Sequence, residues 1–179
     1  MSWEYYMTNQ LLQSEFYSEN FFLNIEVEQK TPKISLIFHN FGPFNILEKK
    51  TLPLWFSIIL EKIKIGKIFT PKFLESKWLE KKMFEELDQE SLQNIPRNYI
   101  ELSYIIYRHN VDFFKAYPDQ ILVVEELFST RMNKLTSGMI ALQIPIRALK
   151  LENIGGIELI NLRENLQIQL QLTHYTYSH

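Results

Sequence analysis

The chain has 179 residues, 46% hydrophobic and 14% aromatic, with only 5 glycines. That suffices for one domain, or a small one joined to a medium one, and argues against a disordered or low-complexity chain. The formal charge of −2 makes no bulk electrostatic case for nucleic acid or anionic membrane, and the absence of cysteine excludes disulfides, thiolate catalysis and Cys-ligated zinc.

Glu4–Tyr17 mixes aromatic and polar residues and reads as one short helix, too polar near Met1 for a signal peptide. In Phe21–Glu28, Leu23, Ile25 and Val27 alternate with Asn24, Glu26 and Glu28, a strand pattern. Thr-Pro-Lys within Gln29–Lys33 marks a turn, and Ile34–Phe38 a second strand, which predicts a hairpin with the first. Phe41–Asn45 is a turn. An isolated hairpin is marginal in water, so this part must lean on the helices or on a partner.

The stretch Gly42–Leu74 joins these strands to a helical remainder. Pro53 suits a first helical turn, and Leu52, Trp55, Phe56, Ile59 and Ile63 share one helical face. Leu54, Ile58 and Leu60 make this helix apolar nearly all round, so it is buried on most sides by its own domain or by a partner. Its run is far short of the roughly 20 residues of a membrane span, and the sequence reads as soluble with no membrane partner. Gly66 is a natural stop, and Thr70-Pro71 opens the next helix.

From Pro71 to Gln89, Phe73, Leu74, Trp78, Leu79, Phe84 and Leu87 carry the apolar face. Glu75, Lys77, Glu80, Lys81, Lys82, Glu85 and Glu86 carry the wet one. A helix over Tyr99–Asn110 follows. The longest spans Asp119–Ile144, where Ile121, Phe128, Leu135 and Leu142 recur every seven residues with Val124, Met132 and Met139 between, a packing seam. Gly138 in its interior hints at close backbone approach or a bend, Pro145 kinks or ends it, and Asn153–Gly156 is a break. Leu166–Leu172 alternates as a strand does, yet Leu159, Leu162, Leu166 and Leu170 keep helical spacing. Local physics leaves both open.

The central blocks, GPFN, LPLWFSIILEK and KIFTPKFLESKWLEK, resemble the second partner-type subunit of the eukaryotic GINS complex. That family has a Gly-Pro-Phe turn, a Pro-Leu-Trp-Leu-Ala helix start and a Pro-rich entry to the next helix. Tyr99–Leu102, Ser129–Leu135, Leu151–Ile154 and Ile160-Asn161 continue the resemblance in the family's order, with Ser129 where the family has Asp. The resemblance implies a mainly α fold, with a small β-rich N-terminal domain (1–50), a helical bundle domain (51–179) and a helical last segment. It also implies a nuclear heterotetramer with three related subunits, bridging the MCM helicase ring and a cell-division-cycle protein of RecJ-like fold in DNA replication. The role would be scaffolding.

A search for chemistry agrees. Gly155-Gly156 lacks the strand and Lys of a phosphate loop. His39, His109, His174 and His179 are scattered, with none at i,i+4 for a metal. Asp88 with Glu90, and Glu125 with Glu126, read as solvated helix faces, for nothing gathers a nucleophile beside them. No catalytic residue, metal or cofactor is expected. The candidate residues form a partner interface: Leu52, Trp55, Phe56, Ile59, Ile121, Val124, Phe128, Arg131, Met132, Leu135 and Met139. Arg131 and Lys134 lie in an apolar seam, where they snorkel or, as the resemblance favours, make an intersubunit ion pair or hydrogen bond. The alternative function is a nucleic-acid-binding adaptor acting through the lysines of Lys62–Lys82 with Trp78 as a stacking platform. The interleaved glutamates make a mixed solvated surface the plainer reading, and direct DNA contact stays open.

Overall fold

A computed structural model describes residues 12–109, 119–141, 152–163 and 165–166. Alternation in Phe22–Val27 (β1) is realised in space, with Leu23, Ile25 and Val27 buried. The partner of β1 differs from the predicted hairpin. β1 is the middle of a three-stranded antiparallel sheet, flanked by Lys49–Pro53 (β4) and Gly66–Ile68 (β5). Ile34–Ser35 (β2) pairs instead with Asn40–Phe41 (β3) in a small hairpin of its own, tied at its base by the Thr31–Phe44 bridge. The physical reason lies in register and phase. β4 sets Leu52 opposite Leu23 and β5 sets Ile68 opposite Ile25, so both neighbours add buried side chains to the apolar face of β1. Leu36, Ile37 and Phe38 have no such alternation and stay exposed. β4 straddles residue 50 and β5 lies beyond it, so the sheet draws on both sides of that position.

Between the edge strands runs Leu54–Lys62 (α2), with Leu54, Phe56, Ser57, Ile58 and Leu60 buried. Pro53 is its N-cap rather than its first residue, and Leu52 belongs to β4. Ser57 accommodates its burial by donating to the Pro53 carbonyl at 3.0 Å. The helix ends at Ile63, Lys64 takes φ 59°, and Gly66 is inside β5, where a Cβ would stand 3.2 Å from the Glu26 carbonyl. Glycine is needed there for strand approach, not as the helix stop.

The rest is helical: a short turn Lys72–Leu74, then Ser76–Asp88 (α3), Tyr99–His109 (α4), Asp119–Ala141 (α5) and residues 156–163 (α6), with 165–166 also helical. A further helix, α1, covers residues 12–19 and is tied to α4. Ser14 donates to the Glu101 carboxylate, and Glu15 pairs with Arg108 at 2.7 Å. The chain is thus mainly α with a small β-rich N-terminal part. One core cluster runs from the sheet through α2 and α4 to the first half of α5. A smaller one joins Leu135, Met139 and Leu162.

Three face assignments on α3 are reversed. Glu86, placed on the wet face, is fully buried, while Phe84 and Leu87, placed on the apolar face, are exposed. On the apolar face, Leu79 and Met83 are followed at i+7 by Glu86, which finds buried partners described below. Leu142, Pro145, Phe113, Phe114 and Gln167–Leu172 lie outside the described residues. Gly138 makes no close approach, for a Cβ added there meets nothing within 4 Å among the described residues. Gly138→Ala is therefore expected to raise stability by about 0.5–1 kcal/mol, the helix-interior difference between the two residues. Urea denaturation checks this. Gly155→Ala should instead lower stability, because its Cβ would stand 3.0 Å from the Arg97 carbonyl.

Candidate functional site

Arg131 comes from the middle of α5, at i+4 from Leu127 and i−4 from Leu135, a phase that points it inward. It is 1% exposed. Its Nε donates to Glu158 Oε1 at 2.6 Å, and one terminal nitrogen donates to Glu158 Oε2 at 2.9 Å and to the Asn153 carbonyl at 2.5 Å. The other terminal nitrogen donates to Glu86 Oε2 and to the Gln93 carbonyl, each at 3.0 Å. All five donors of the guanidinium are thus spent inside the chain. This replaces both sequence expectations for Arg131, snorkelling and an intersubunit pair. No donor is left for a partner, and the stem does not reach water.

Around it, the Tyr99 hydroxyl donates to Glu158 Oε1 at 2.9 Å, and the Arg131 guanidinium lies 5.9 Å from the Tyr99 ring centre. Lys134 donates to Glu86 Oε1 at 3.0 Å, to the Glu86 carbonyl and to the Gln89 carbonyl at 2.5 Å, a cation closing the C-terminal end of α3. Glu158 also accepts from the Gly155 amide at 2.7 Å. Burial opposes the Arg131 charge, but the hydrogen bonds and charge of Glu158, with Tyr99 and Glu86 behind, outweigh it and hold its pKa above the ordinary arginine value. Burial, then the Glu158 charge, pushes the Tyr99 phenol well above its usual range. Beside this cluster, burial raises the Glu101 carboxyl against the lowering pull of the Ser14 hydroxyl. The arrangement is a structural clamp of matched charges joining α3, α4, α5 and α6. It holds no exposed nucleophile or base, and no cluster of metal-ligating side chains occurs among the described residues.

The other candidate interface residues are distributed unevenly. Leu52, Phe56, Ile121, Val124, Leu135 and Met139 are buried within the chain. Trp55, Phe128 and Met132 are half-buried against its cores, Trp55 meeting Phe41 and Phe56 edge to face. Ile59 is exposed, and so is Ile63 one turn on. Phe84, Leu87 and Leu122, not among the candidate interface residues, are exposed on helices. Of the lysine-bearing segment, Trp78 packs half-buried on the core with Lys82 5.8 Å from its ring centre, and Lys81 and Lys82 both pair with Glu85.

The PSF2 N-terminal domain family matches residues 10–69. The Schizosaccharomyces pombe DNA replication complex GINS protein psf2 is 22% identical over 149 residues, 83% of this chain and 80% of the relative. The probable PSF2 of Caenorhabditis elegans is 24% identical over 142 residues, 78% of each chain. The Homo sapiens PSF2 is 28% identical over 122 residues, 68% of this chain and 66% of the relative.

The chain is similar to PSF2 subunits along most of its length.

The segments that carry the PSF2-type resemblance acquire a physical meaning in the clamp. Tyr99–Leu102 supplies Tyr99, Ser129–Leu135 supplies Arg131 and Lys134, and Leu151–Ile154 supplies the Asn153 carbonyl. Removing the cation strands two buried carboxylates, so Arg131→Met should cost the fold about 3–5 kcal/mol by denaturant titration. Replacing Glu86 and Glu158 by Leu as well should recover part of the loss.

Glu101 gives a pH signature. Its folded pKa is raised, so its contribution is full below the unfolded value and lost as pH rises through the folded one. Glu101→Gln should therefore gain more melting temperature over the parent at about pH 7 than at about pH 4.

Proposed function

We propose that this chain is a PSF2-type subunit, a non-catalytic scaffold of the heterotetrameric GINS complex held by three related subunits. Through it the assembly engages the MCM helicase ring and a cell-division-cycle protein of RecJ-like fold, in the nucleus, during replication initiation and fork progression. The observation that carries the reading is the match to a relative named as a DNA replication complex GINS protein over 83% of this chain. Support also comes from exposed apolar residues on three helices: Ile59 and Ile63 on α2, Phe84 and Leu87 on α3, and Leu122 on α5. The proposed subunit interface uses the exposed members of α2 and α5. Leu52, Phe56, Ile121, Val124, Leu135 and Met139 fix from inside how those helices lie. We take the β-rich unit, set at residues 1–50 by sequence, to include β5 as well, since β5 pairs with β1.

Expression alone and with the three related subunits tests the reading. The lone chain is expected to self-associate or precipitate, and the four together to give one soluble complex of equal stoichiometry. Obligate interfaces bury more than about 2,000 Å², so Ile59→Asp with Ile63→Asp should block incorporation while leaving the buried core untouched. A lone chain that is a well-behaved monomer with a sharp unfolding transition overturns the proposal.

A further inference from the structure

Ile37 and Phe38 are 92% and 89% exposed, the most exposed large apolar residues among those described. They sit side by side at the tip of the β2–β3 hairpin, where the Leu36 amide donates to the His39 carbonyl at 2.8 Å. The tip is held out stiffly. Thr31 and Phe44 exchange both backbone hydrogen bonds, at 3.0 and 2.9 Å, and the Phe41 ring stacks on Phe56 of α2 at 4.1 Å between centres. At the base Gly42 takes φ 80°, and a Cβ there would press Phe44 and the Pro32 carbonyl at 3.3 Å. Two apolar side chains kept in water on a braced stalk suit insertion into something else, because little ordering remains to be done on binding.

Charge and area narrow the occupant. Residues 29–47 contain Lys30 and Lys33 and no Asp or Glu, in a chain whose net charge is −2. Both lysines are exposed, Lys33 immediately before β2 and Lys30 beside the Thr31–Phe44 bridge at the base of the hairpin. The matching surface is an apolar socket with carboxylates at its mouth. A two-residue tip covers at most a few hundred Å², against roughly 1,200 Å² or more for a specific interface. It cannot recruit a partner unaided, and acts as an anchor on a protein already held by other contacts.

We propose that the Ile37-Phe38 tip plugs an apolar, acid-rimmed socket on a neighbouring subunit of the same complex. This rests on the scaffold reading above. The test uses the co-expressed four-subunit complex with p-benzoyl-phenylalanine in place of Phe38. Irradiation should give a cross-link to one neighbouring subunit, at a peptide bearing apolar residues beside Asp or Glu. Ile37→Asp with Phe38→Asp should leave the helix content of the co-expressed complex unchanged and raise its dissociation constant at least about tenfold, a fully desolvated anchor being lost. Lys30→Glu with Lys33→Glu should weaken it less, and less still at high salt. A complex that assembles without any such cross-link, or unaltered by the tip variant, overturns this proposal alone. So does a cross-link between two copies of this chain, or tip-dependent sedimentation with phosphatidylserine vesicles. Failure of the parent chain to assemble with the three subunits overturns the scaffold reading and this one with it.

Discussion

A guanidinium that never meets water dictates how the helical half is put together. Arg131 must be surrounded by acceptors or not be buried at all, since an unpaired charge in an apolar interior costs several kcal/mol. Two carboxylates and two carbonyls satisfy it, and each comes from a different stretch of chain: Glu86 from α3, Gln93 from the following loop, Asn153 from the α6 entry and Glu158 from α6. Apolar contacts tolerate sliding, because any greasy surface suits any other. A fork of five directed donors does not, so the cluster sets the register of α3 and α6 against α5. Lys134, one turn on, closes the same end of α3 through its last carbonyls. The Gly155-Gly156 pair belongs to this arrangement, since Gly155 donates its amide to Glu158 and a Cβ on Gly156 would stand 3.0 Å from Glu101 Oε1.

Much of the fold was legible because periodicity and burial agree along single elements. Alternation at Leu23, Ile25 and Val27 gave the strand and its buried face, and the apolar girth of Leu54–Leu60 gave a helix enclosed on most sides. Pairing was not legible. Which strand lies beside β1 depends on side chains nearly 30 positions away, and the nearby Ile34–Phe38 was the natural but incorrect partner. The clamp was half legible. Arg131 stood out as a charge in an apolar seam, but its acceptors did not, because Glu86 was grouped with the solvated residues around it. Its phase held the signal: Leu79, Met83 and Glu86 follow one helical stripe, as Val124, Leu127, Arg131 and Leu135 follow another. Opposite charges embedded in two apolar stripes need one another.

The candidate interface shows the same limit from another side. Periodicity finds the face of a helix that leaves water, and cannot say whether the cover comes from the same chain. For Val124 and Phe56 the cover is internal; Ile59, three residues after Phe56 on α2, is left outside. The residues with most to offer a partner, Phe84, Leu87, Ile37 and Phe38, were those whose exposure contradicts their chemistry. Only coordinates reveal that contradiction.

The order of the sheet carries a kinetic corollary. β4 and β5 each run antiparallel to β1, so they run parallel to each other with α2 as the crossover between them, leaving a slot one strand wide. β1 fills that slot, yet it is synthesised first, and its second neighbour is complete only at Ile68. During synthesis the earliest strand waits, hydrogen-bonding groups unmatched on both sides, for a receptacle that arrives some forty residues behind it. It then docks as an insert between two rails.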